Sequence, residues 1–310
     1  MRVLVVGAGV VGLSCAVRLR EAGVAADVVA DAAGAATTSA AAAALWYPYR
    51  AHPPERVTGW AASTREELER LSADATTGVV LRDGVEYVRQ PTGEPWWASA
   101  VPRLAWRGGG PAGCAGGWAF RAPVADTGRY LDWLAARLGD LGGSLRHERM
   151  RSVAQARAEA DAVVLATGVG ARELPGDPAV TPVRGQVVRV RAPSVRQWVL
   201  DEGHPAGLVY VVPRIDDVVC GGVDEPGAES PEVDAQTARR ILARCIDVVP
   251  ELAGAQVTGH AVGLRPYRPS VRLERDPSDP GVVHCYGHGG AGVTLSWGCA
   301  DEVTDLITGR

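Results

Sequence analysis

Gly7-Ala-Gly9-Val-Val-Gly12 spaces three glycines as a phosphate-cradling turn requires: one for a tight turn, one for close approach to a pyrophosphate, one for helix-on-strand packing. The helix beyond it would offer free N–H groups and the positive end of its dipole to an anion. Asp31 stands about twenty residues past Gly12, where a carboxylate can accept hydrogen bonds from ribose hydroxyls. Gly7, Ala8, Gly9, Val10, Val11, Gly12 and Asp31 are therefore the expected contacts of a dinucleotide. A missing residue type is equally informative: the chain has no Lys, so its 32 formal cations are all Arg. An internal Schiff base to pyridoxal phosphate, a complete G-x-x-x-x-G-K-S/T loop and a lysine general base are excluded.

Other classes fall on composition. With 310 residues, 46% of them apolar, the chain is long enough for about two domains and a sizeable core. A net charge of −4 gives no electrostatic footprint for nucleic acid or an anionic membrane, so the expected partner is a small molecule. Its apolar stretches are short and Gly-interrupted, and Val3 to Val6 leads into the glycine turn rather than a cleavage site. Neither a membrane span nor a secretory signal is expected. Cys15, Cys114, Cys220, Cys245, Cys285 and Cys299 are scattered without a C-x-x-C pair. They read as reduced thiols in a cytoplasmic protein, with no metal site and no disulfide framework.

Positioning the glycine turn requires a βαβ unit, and the flanking residues supply one. Val3-Leu-Val-Val6 reads as a buried parallel strand, Leu13, Ala16, Val17 and Arg20 have helical spacing, Gly23 ends the helix, and Asp27 to Ala30 forms the next strand. Arg129 to Leu141 predicts a helix, Ser144 to Glu148 a short extended stretch, and Asp161 to Gly168 a strand returning to the first sheet. Pro48 to Pro123 is rich in Pro, Gly and Trp. With the alternating segments Gln186 to Arg191 and Gly207 to Gly222, it reads as a separate antiparallel domain. Ala238, Ile241, Leu242 and Cys245 predict a helix over 235–249, and the Ala40 to Ala44 run reads as an ordered, closely approached segment.

Further blocks carry a resemblance. They are Thr37-Thr38 with Ala44-Leu-Trp-Tyr-Pro-Tyr49, Arg184-Gly-Gln186, Tyr210-Val-Val-Pro213, Gly263-Leu-Arg-Pro-Tyr-Arg-Pro269, Tyr286-Gly-His-Gly-Gly-Ala-Gly-Val-Thr294 and Trp297-Gly-Cys-Ala300. In this order, along almost the whole chain, they resemble the D-amino acid oxidase family of flavoproteins. The resemblance implies an α/β fold, with a Rossmann-like FAD-binding domain and a substrate domain built on a mostly antiparallel sheet. The first would comprise residues 1–50, 126–180 and 265–310, the second 51–125 and 181–264. It also implies non-covalent FAD, oxygen as the electron acceptor and a homodimer.

The resemblance assigns roles residue by residue. Arg265 would hold the substrate α-carboxylate, for which a planar, permanently charged guanidinium is suited. Tyr210 would donate a second hydrogen bond to it, the Gly290 carbonyl would accept one from the substrate amine, and Leu45, Tyr47 and Leu200 would wall the pocket. Arg268 and Arg272 would pair with acids such as Glu274 or with backbone carbonyls. Cofactor contacts would come from Thr37, Thr38, Ala44, Leu45, Trp46, Met150, Thr167, Gly168 and Arg265, and from His288, Gly289, Gly290, Ala291, Gly292, Val293 and Thr294. His288 would shape the loop beside the flavin rather than act as a base. Trp96, Trp97 and Trp106 read as core or interface packing in so acidic a chain. One departure stands out: eukaryotic-type members carry a lid tyrosine here, whereas Gly203-His-Pro-Ala-Gly207 and its flanks have none, so a shorter lid or none is expected.

The implied reaction is oxidative deamination of a neutral D-amino acid to a 2-oxo acid, ammonia and hydrogen peroxide, by hydride transfer from Cα to flavin N5 without a protein acid or base. D-aspartate oxidase or glycine oxidase on the same scaffold are the alternatives. An acidic substrate would need a further cation, for which Arg50 and Arg214 are candidates. A non-catalytic FAD-binding protein is a third reading, disfavoured by the Arg265 and Tyr210 pair.

Overall fold

The computed structural model describes residues 1–91 and 93–309. The glycine turn lies between β1 (Arg2–Ala8) and α1 (Val10–Glu21), and β2 (Ala25–Ala33) and α2 (Thr38–Ala41) follow. Next come α3 (Pro54–Leu71), β3 (Val79–Val88), β4 (Ala105–Gly108), β5 (Gly116–Ala125), α4 (Thr127–Asp140), β6 (Leu145–His147), α5 (Val153–Glu159) and β7 (Ala162–Leu165). The remainder comprises β8 (Thr181–Arg191), β9 (Trp198–Asp201), β10 (Val209–Pro213), β11 (Val218–Gly221), β12 (Glu225–Pro226), α6 (Ala235–Val248), β13 (Gln256–Arg275), β14 (Val282–His288) and α7 (Gly292–Thr308).

These strands form one 14-stranded sheet in the order β4-β5-β3-β9-β10-β11-β8-β13-β14-β7-β1-β2-β6, with β12 added on β8. The β14-β7-β1-β2-β6 end is parallel. The other end is antiparallel apart from the β3–β9 pair. The long β13 joins the two, pairing with β8 along its first part and β14 along its last. The expected α/β class, with a Rossmann-like half and a mostly antiparallel half, is what the chain adopts.

Residue type explains the division. Along β1, Val3 and Val5 join the core under α1 and α7, while Leu4 and Val6 join a smaller core with Ala156 of α5. A parallel strand buried on both faces needs such an unbroken apolar run. On the antiparallel half, Ala238, Ile241, Cys245 and Val248 of α6 cover Val188, Val190, Val211 and Cys220. The predicted helix over 235–249 is therefore observed, with Asp234 as its N-cap accepting from Thr237 N–H.

One expectation fails. Residues 48–123 do not form only strands and turns, because 54–71 is an 18-residue helix, α3. Pro54 at its first turn is helix-compatible, and Val57, Trp60, Ala61, Leu68 and Leu71 fall on one buried face. That face packs on α7, where Gly298 meets the Trp60 backbone so closely that a Cβ would sit 2.3 Å from Trp60 O. Trp97 is core, as read, whereas Trp96 and Trp106 are exposed.

Candidate active site

The C-terminal ends of β1, β2, β7 and β14 open on a cavity of about 770 Å³, lined at one end by Val6 to Val11, Ala30 to Ala32 and Ala166 to Gly170. This edge is where open α/β sheets bind their ligands, and the volume lies high in the ordinary range of about 300–1,000 Å³. Three glycines shape this end. Gly7 has φ +118°, and a Cβ there would lie 2.3 Å from Ala166 O. A Cβ on Gly12 would lie 1.9 Å from Gly7 O, which locks α1 against β1. Gly9 differs, since a Cβ there meets only Ser39 Oγ, at 3.1 Å. Its backbone faces open space at the start of α1, whose first helical bond is Leu13 N–H to Gly9 O. Ser39 accepts from Val10 N–H at 3.0 Å. A backbone left bare at a helix N-terminus, with Asp31 on the same wall, fits the pyrophosphate and ribose of FAD.

Of the expected cofactor residues, Gly7, Ala8, Gly9, Val10, Val11, Asp31, Thr37, Thr38, Ala44, Leu45, Met150, Thr167, Gly168, Arg265, His288, Gly289, Gly290, Gly292 and Val293 line this cavity. Four do not. Gly12 acts behind the turn, as its packing shows. Trp46 is buried in the core and donates from Nε1 to Ala61 O at 2.8 Å. Ala291 is buried as well. Thr294 Oγ1 donates to Tyr47 O at 2.9 Å and accepts from Tyr47 N–H at 3.1 Å, so its hydroxyl fixes the Tyr47 backbone. The mouth of α7 still opens on the cavity through Gly292 and Val293.

The other end of the cavity gathers Arg265, Tyr210, Gly290, Leu45, Tyr47 and Leu200, the six expected substrate residues. Arg265 on β13 donates from Nη1 to Val223 O at 2.9 Å and to Asp224 Oδ1 at 2.8 Å. The Tyr210 hydroxyl also lies within hydrogen-bonding reach of the guanidinium. Burial works against the Arg265 charge, but Tyr210, Asp224 and Tyr49 more than offset it, and the guanidinium stays charged. Burial likewise pushes the Tyr210 phenol up against the opposing pull of Arg265, keeping it a donor. A Cβ on Gly290 would lie 2.7 Å from the Tyr49 ring and 3.6 Å from Arg265 Cδ, so this backbone comes up to the same point. Arg268 pairs with Asp177 and Arg272 with Glu274, both as structural pairs.

Sequence reasoning passes over Tyr49, Gly185, Glu202 and Asp224. Gly185 lies mid-strand on β8, and a Cβ there would sit 2.6 Å from Arg265 Nη2 and 2.7 Å from its Cζ. A glycine inside a strand marks such close approaches, and this is the signal that could have found it. We expect Gly185→Ala to displace the guanidinium, raising KM about tenfold or more while flavin absorbance stays with the protein. An unaltered KM measured across a substrate series would count against Arg265 as the substrate clamp.

The lid region is short. A tight turn with Gly207 N–H on His204 O at 2.9 Å joins β9 to β10. His288 is buried, its Nε2 has no partner among the described residues, and burial pushes its imidazole down to about 4. It is a neutral ring in the wall. The scattered cysteines are all free, yet the fold brings ligand atoms of Cys285, His288 and Cys299 within 4.8 Å of one another. Burial pushes the Cys299 thiol up, which keeps it protonated.

Near Tyr47 the wall is acidic. The Tyr47 hydroxyl donates to Glu86 Oε1 at 2.6 Å, and burial pushes the Glu86 carboxyl up to about 7, with Tyr47 opposing and Glu202 adding to the rise. A folded-state value above the unfolded one means a contribution present below pH about 4.5 and lost as pH climbs through 7. Glu86→Gln abolishes that loss, worth about 2–3 kcal/mol. The melting temperature of the variant relative to the parent should therefore be several degrees more favourable at pH 8 than at pH 5. Equal offsets at the two pH values would contradict the buried carboxyl.

The comparisons with known proteins agree with this geometry. Residues 2–306 match the family described as FAD dependent oxidoreductase, DAO. The chain is 51% identical over 310 residues to the D-amino-acid oxidase of Rubrobacter xylanophilus, covering 98% of this chain and 95% of that one. It is 41% identical to the D-amino-acid oxidase of Streptomyces coelicolor, with 99% and 96% covered. Among solved structures, glycine oxidase from Geobacillus kaustophilus superposes with a TM-score of 0.84 at 21% identity, over 99% of this chain and 94% of that one. A glycine turn at one end of the cavity, Arg265 and Tyr210 at the other, and full-length similarity of this degree have one reading: the chain belongs to the D-amino acid oxidase family of FAD-dependent oxidoreductases.

Proposed function

We propose that this protein oxidatively deaminates neutral D-amino acids, and the observation that carries the reading is Arg265, Tyr210 and Gly290 converging on one end of the nucleotide cavity. The Arg265 guanidinium and the Tyr210 hydroxyl take the α-carboxylate, a charge-assisted pair of contacts that fixes the ligand's orientation. The Gly290 carbonyl takes the amine. With carboxylate and amine held and the side chain against Leu45, Tyr47 and Leu200, the Cα–H is the bond left to face the ring, and alignment of this kind is worth roughly 7–11 kcal/mol. Bound FAD supplies the two-electron acceptor, which oxygen regenerates. No side chain needs to take a proton from Cα, and the neutral, buried His288 is unsuited to do so.

The alternatives differ in charge. Arg214, a candidate cation for an acidic substrate, is buried on Asp217 and Thr127 and does not line the cavity. Arg50 is held by Asp224 at 2.6 Å. Neither lines this cavity, which supports neutral D-amino acids over D-aspartate. For the domains, we propose 1–50, 126–180 and 265–310 for FAD, and 51–125 and 181–264 for substrate. Gly185, Leu200 and Tyr210 on the cavity wall support the latter. Six free cysteines support the cytoplasm, and the homodimer rests on the family resemblance. No helix among the described residues is long and apolar enough to cross a membrane.

Anaerobic addition of single D- and L-amino acids to the yellow protein tests the reading. Bleaching by neutral D-amino acids is expected. Bleaching only by D-aspartate or glycine would shift the assignment to an alternative, and a colourless protein that takes up no FAD would end it.

A further inference from the structure

Behind Tyr210 lies a buried cation that no acid neutralises. Arg244 of α6 is 7% exposed, and its guanidinium fans onto three backbone carbonyls. Nε donates to Leu208 O at 2.9 Å, Nη1 to Ala206 O at 3.4 Å and Nη2 to Gly222 O. No carboxylate pairs with it among the described residues, and burial works against its charge. A buried charge without a counter-ion is costly, which directs attention to the carbonyls it holds. They belong to two segments that shape the substrate end. Ala206 and Leu208 end the short turn between β9 and β10, and Leu208 lines the cavity. Gly222 follows β11, whose Gly221 pairs with Tyr210. A Cβ on Gly221 would lie 2.0 Å from Tyr210 Cζ, and one on Gly222 2.7 Å from the Tyr210 hydroxyl oxygen, so the phenol rests directly on this backbone. The next two residues, Val223 and Asp224, hold the Arg265 guanidinium. Cys245, beside Arg244, adds a contact from Sγ to Gly221 O at 3.5 Å.

We propose that Arg244 is a positioning residue for the oxidation: from behind, it fixes the 221–224 backbone against which Tyr210 and Arg265 are aimed at the substrate α-carboxylate. The proposal rests on the oxidase reading above and deepens it. Arg244 does not line the cavity, so it acts only through the residues that do. A guanidinium suits the task because its planar fork of five N–H donors reaches carbonyls on both segments at once, whereas an ammonium is a compact point donor. Without Arg244, Ala206 O and Gly222 O lose this donor, and Leu208 O keeps Gly222 N–H at 3.1 Å. The two glycines are then free to shift beneath the phenol, and the Val223 carbonyl shifts with them under Arg265.

The test uses holoenzyme of the parent, Arg244→Met and Arg244→Lys, with D-alanine as substrate and propionate as a carboxylate that carries no amine to oxidise. In Arg244→Met, KM for D-alanine and the propionate dissociation constant, read from the flavin spectrum, should each rise about tenfold or more, while FAD affinity stays within about threefold of the parent. Arg244→Lys keeps the charge and should recover only part of the loss. In a Tyr210→Phe background the Arg244→Met step should raise KM by at most about a third of that factor, because one of the two contacts it aims is already gone. Unaltered KM and propionate binding in Arg244→Met would overturn the proposal, as would the same fold-rise with and without the Tyr210 hydroxyl, or a rise matched by an equal loss of FAD affinity. If Arg244→Met yields no folded holoenzyme, Arg244→Lys decides, and parental KM and propionate binding in it would overturn the assignment. A parent flavin bleached by no D-amino acid would overturn the oxidase reading instead, and propionate binding would still report on Arg244.

Discussion

Replacing Arg265 by Ala should lower kcat/KM for a neutral D-amino acid by about three orders of magnitude, mostly as a rise in KM. The guanidinium is mostly buried, with 17% of its side chain exposed, so the ion pair it offers a carboxylate is only weakly screened by water. Truncating one partner of a buried, hydrogen-bonded charge pair costs about 2–5 kcal/mol, or roughly 30- to 4,000-fold. The upper half of that range is expected because Asp224 would lose the Arg265 contact at 2.8 Å and add like charge where the α-carboxylate must sit. Arg265→Lys should recover part of the loss, because charge returns while the planar two-point contact does not. Anaerobic flavin reduction at saturating and subsaturating substrate separates binding from turnover. Near-normal kinetics in Arg265→Ala would remove the carboxylate clamp from the mechanism.

The glycine turn was legible in local spacing because its function sits in one short stretch of backbone, whereas the role expected of Arg265 came only from the resemblance carried by the Gly263 to Pro269 block. Gly7, Gly9 and Gly12 must lie at fixed intervals to turn, expose and pack one segment, and β1 and α1 follow directly from the flanking apolar residues. The acidic wall has no such local code. Glu86 on β3, Glu202 after β9 and Asp224 after β11 meet only because β3 pairs with β9 and β10 joins β9 to β11. Gly185 is tied to Arg265 through the β8–β13 register, in which Arg184 faces Leu264. The helix α3 was obscured by composition, since Pro53-Pro54 and Trp60 suggest irregular structure although a proline suits a helix start. Thr294 and Trp46 show the converse limit. Both stand in blocks that touch the cavity, but the rotation of each residue sends its side chain into the protein.

Single alanines at Gly9 and Gly12 should separate cofactor binding from folding. At Gly12 the new Cβ would lie 1.9 Å from Gly7 O and 2.9 Å from Gly7 C, both backbone atoms in a turn that also supports Gly7 at φ +118°. Neither side can yield without moving α1 off β1, and forced overpacking of this kind costs about 1–3 kcal/mol or more. Gly12→Ala should therefore lower the melting temperature of the apoprotein and abolish the yellow colour together. At Gly9 the only neighbour within 4 Å among the described residues is Ser39 Oγ at 3.1 Å, the end of a small side chain. That contact relaxes by a few tenths of an ångström, so apoprotein Gly9→Ala should melt within about 1–2 °C of the parent, as mild surface changes do. The methyl nevertheless occupies the space that the pyrophosphate needs, and FAD affinity should fall about 100-fold or more. Flavin titration of each apoprotein beside its melting curve reads both quantities. If Gly9→Ala retains FAD at parental affinity, the pyrophosphate does not lie against Gly9. If Gly12→Ala folds and binds normally, the close contact between α1 and β1 is not what holds the turn.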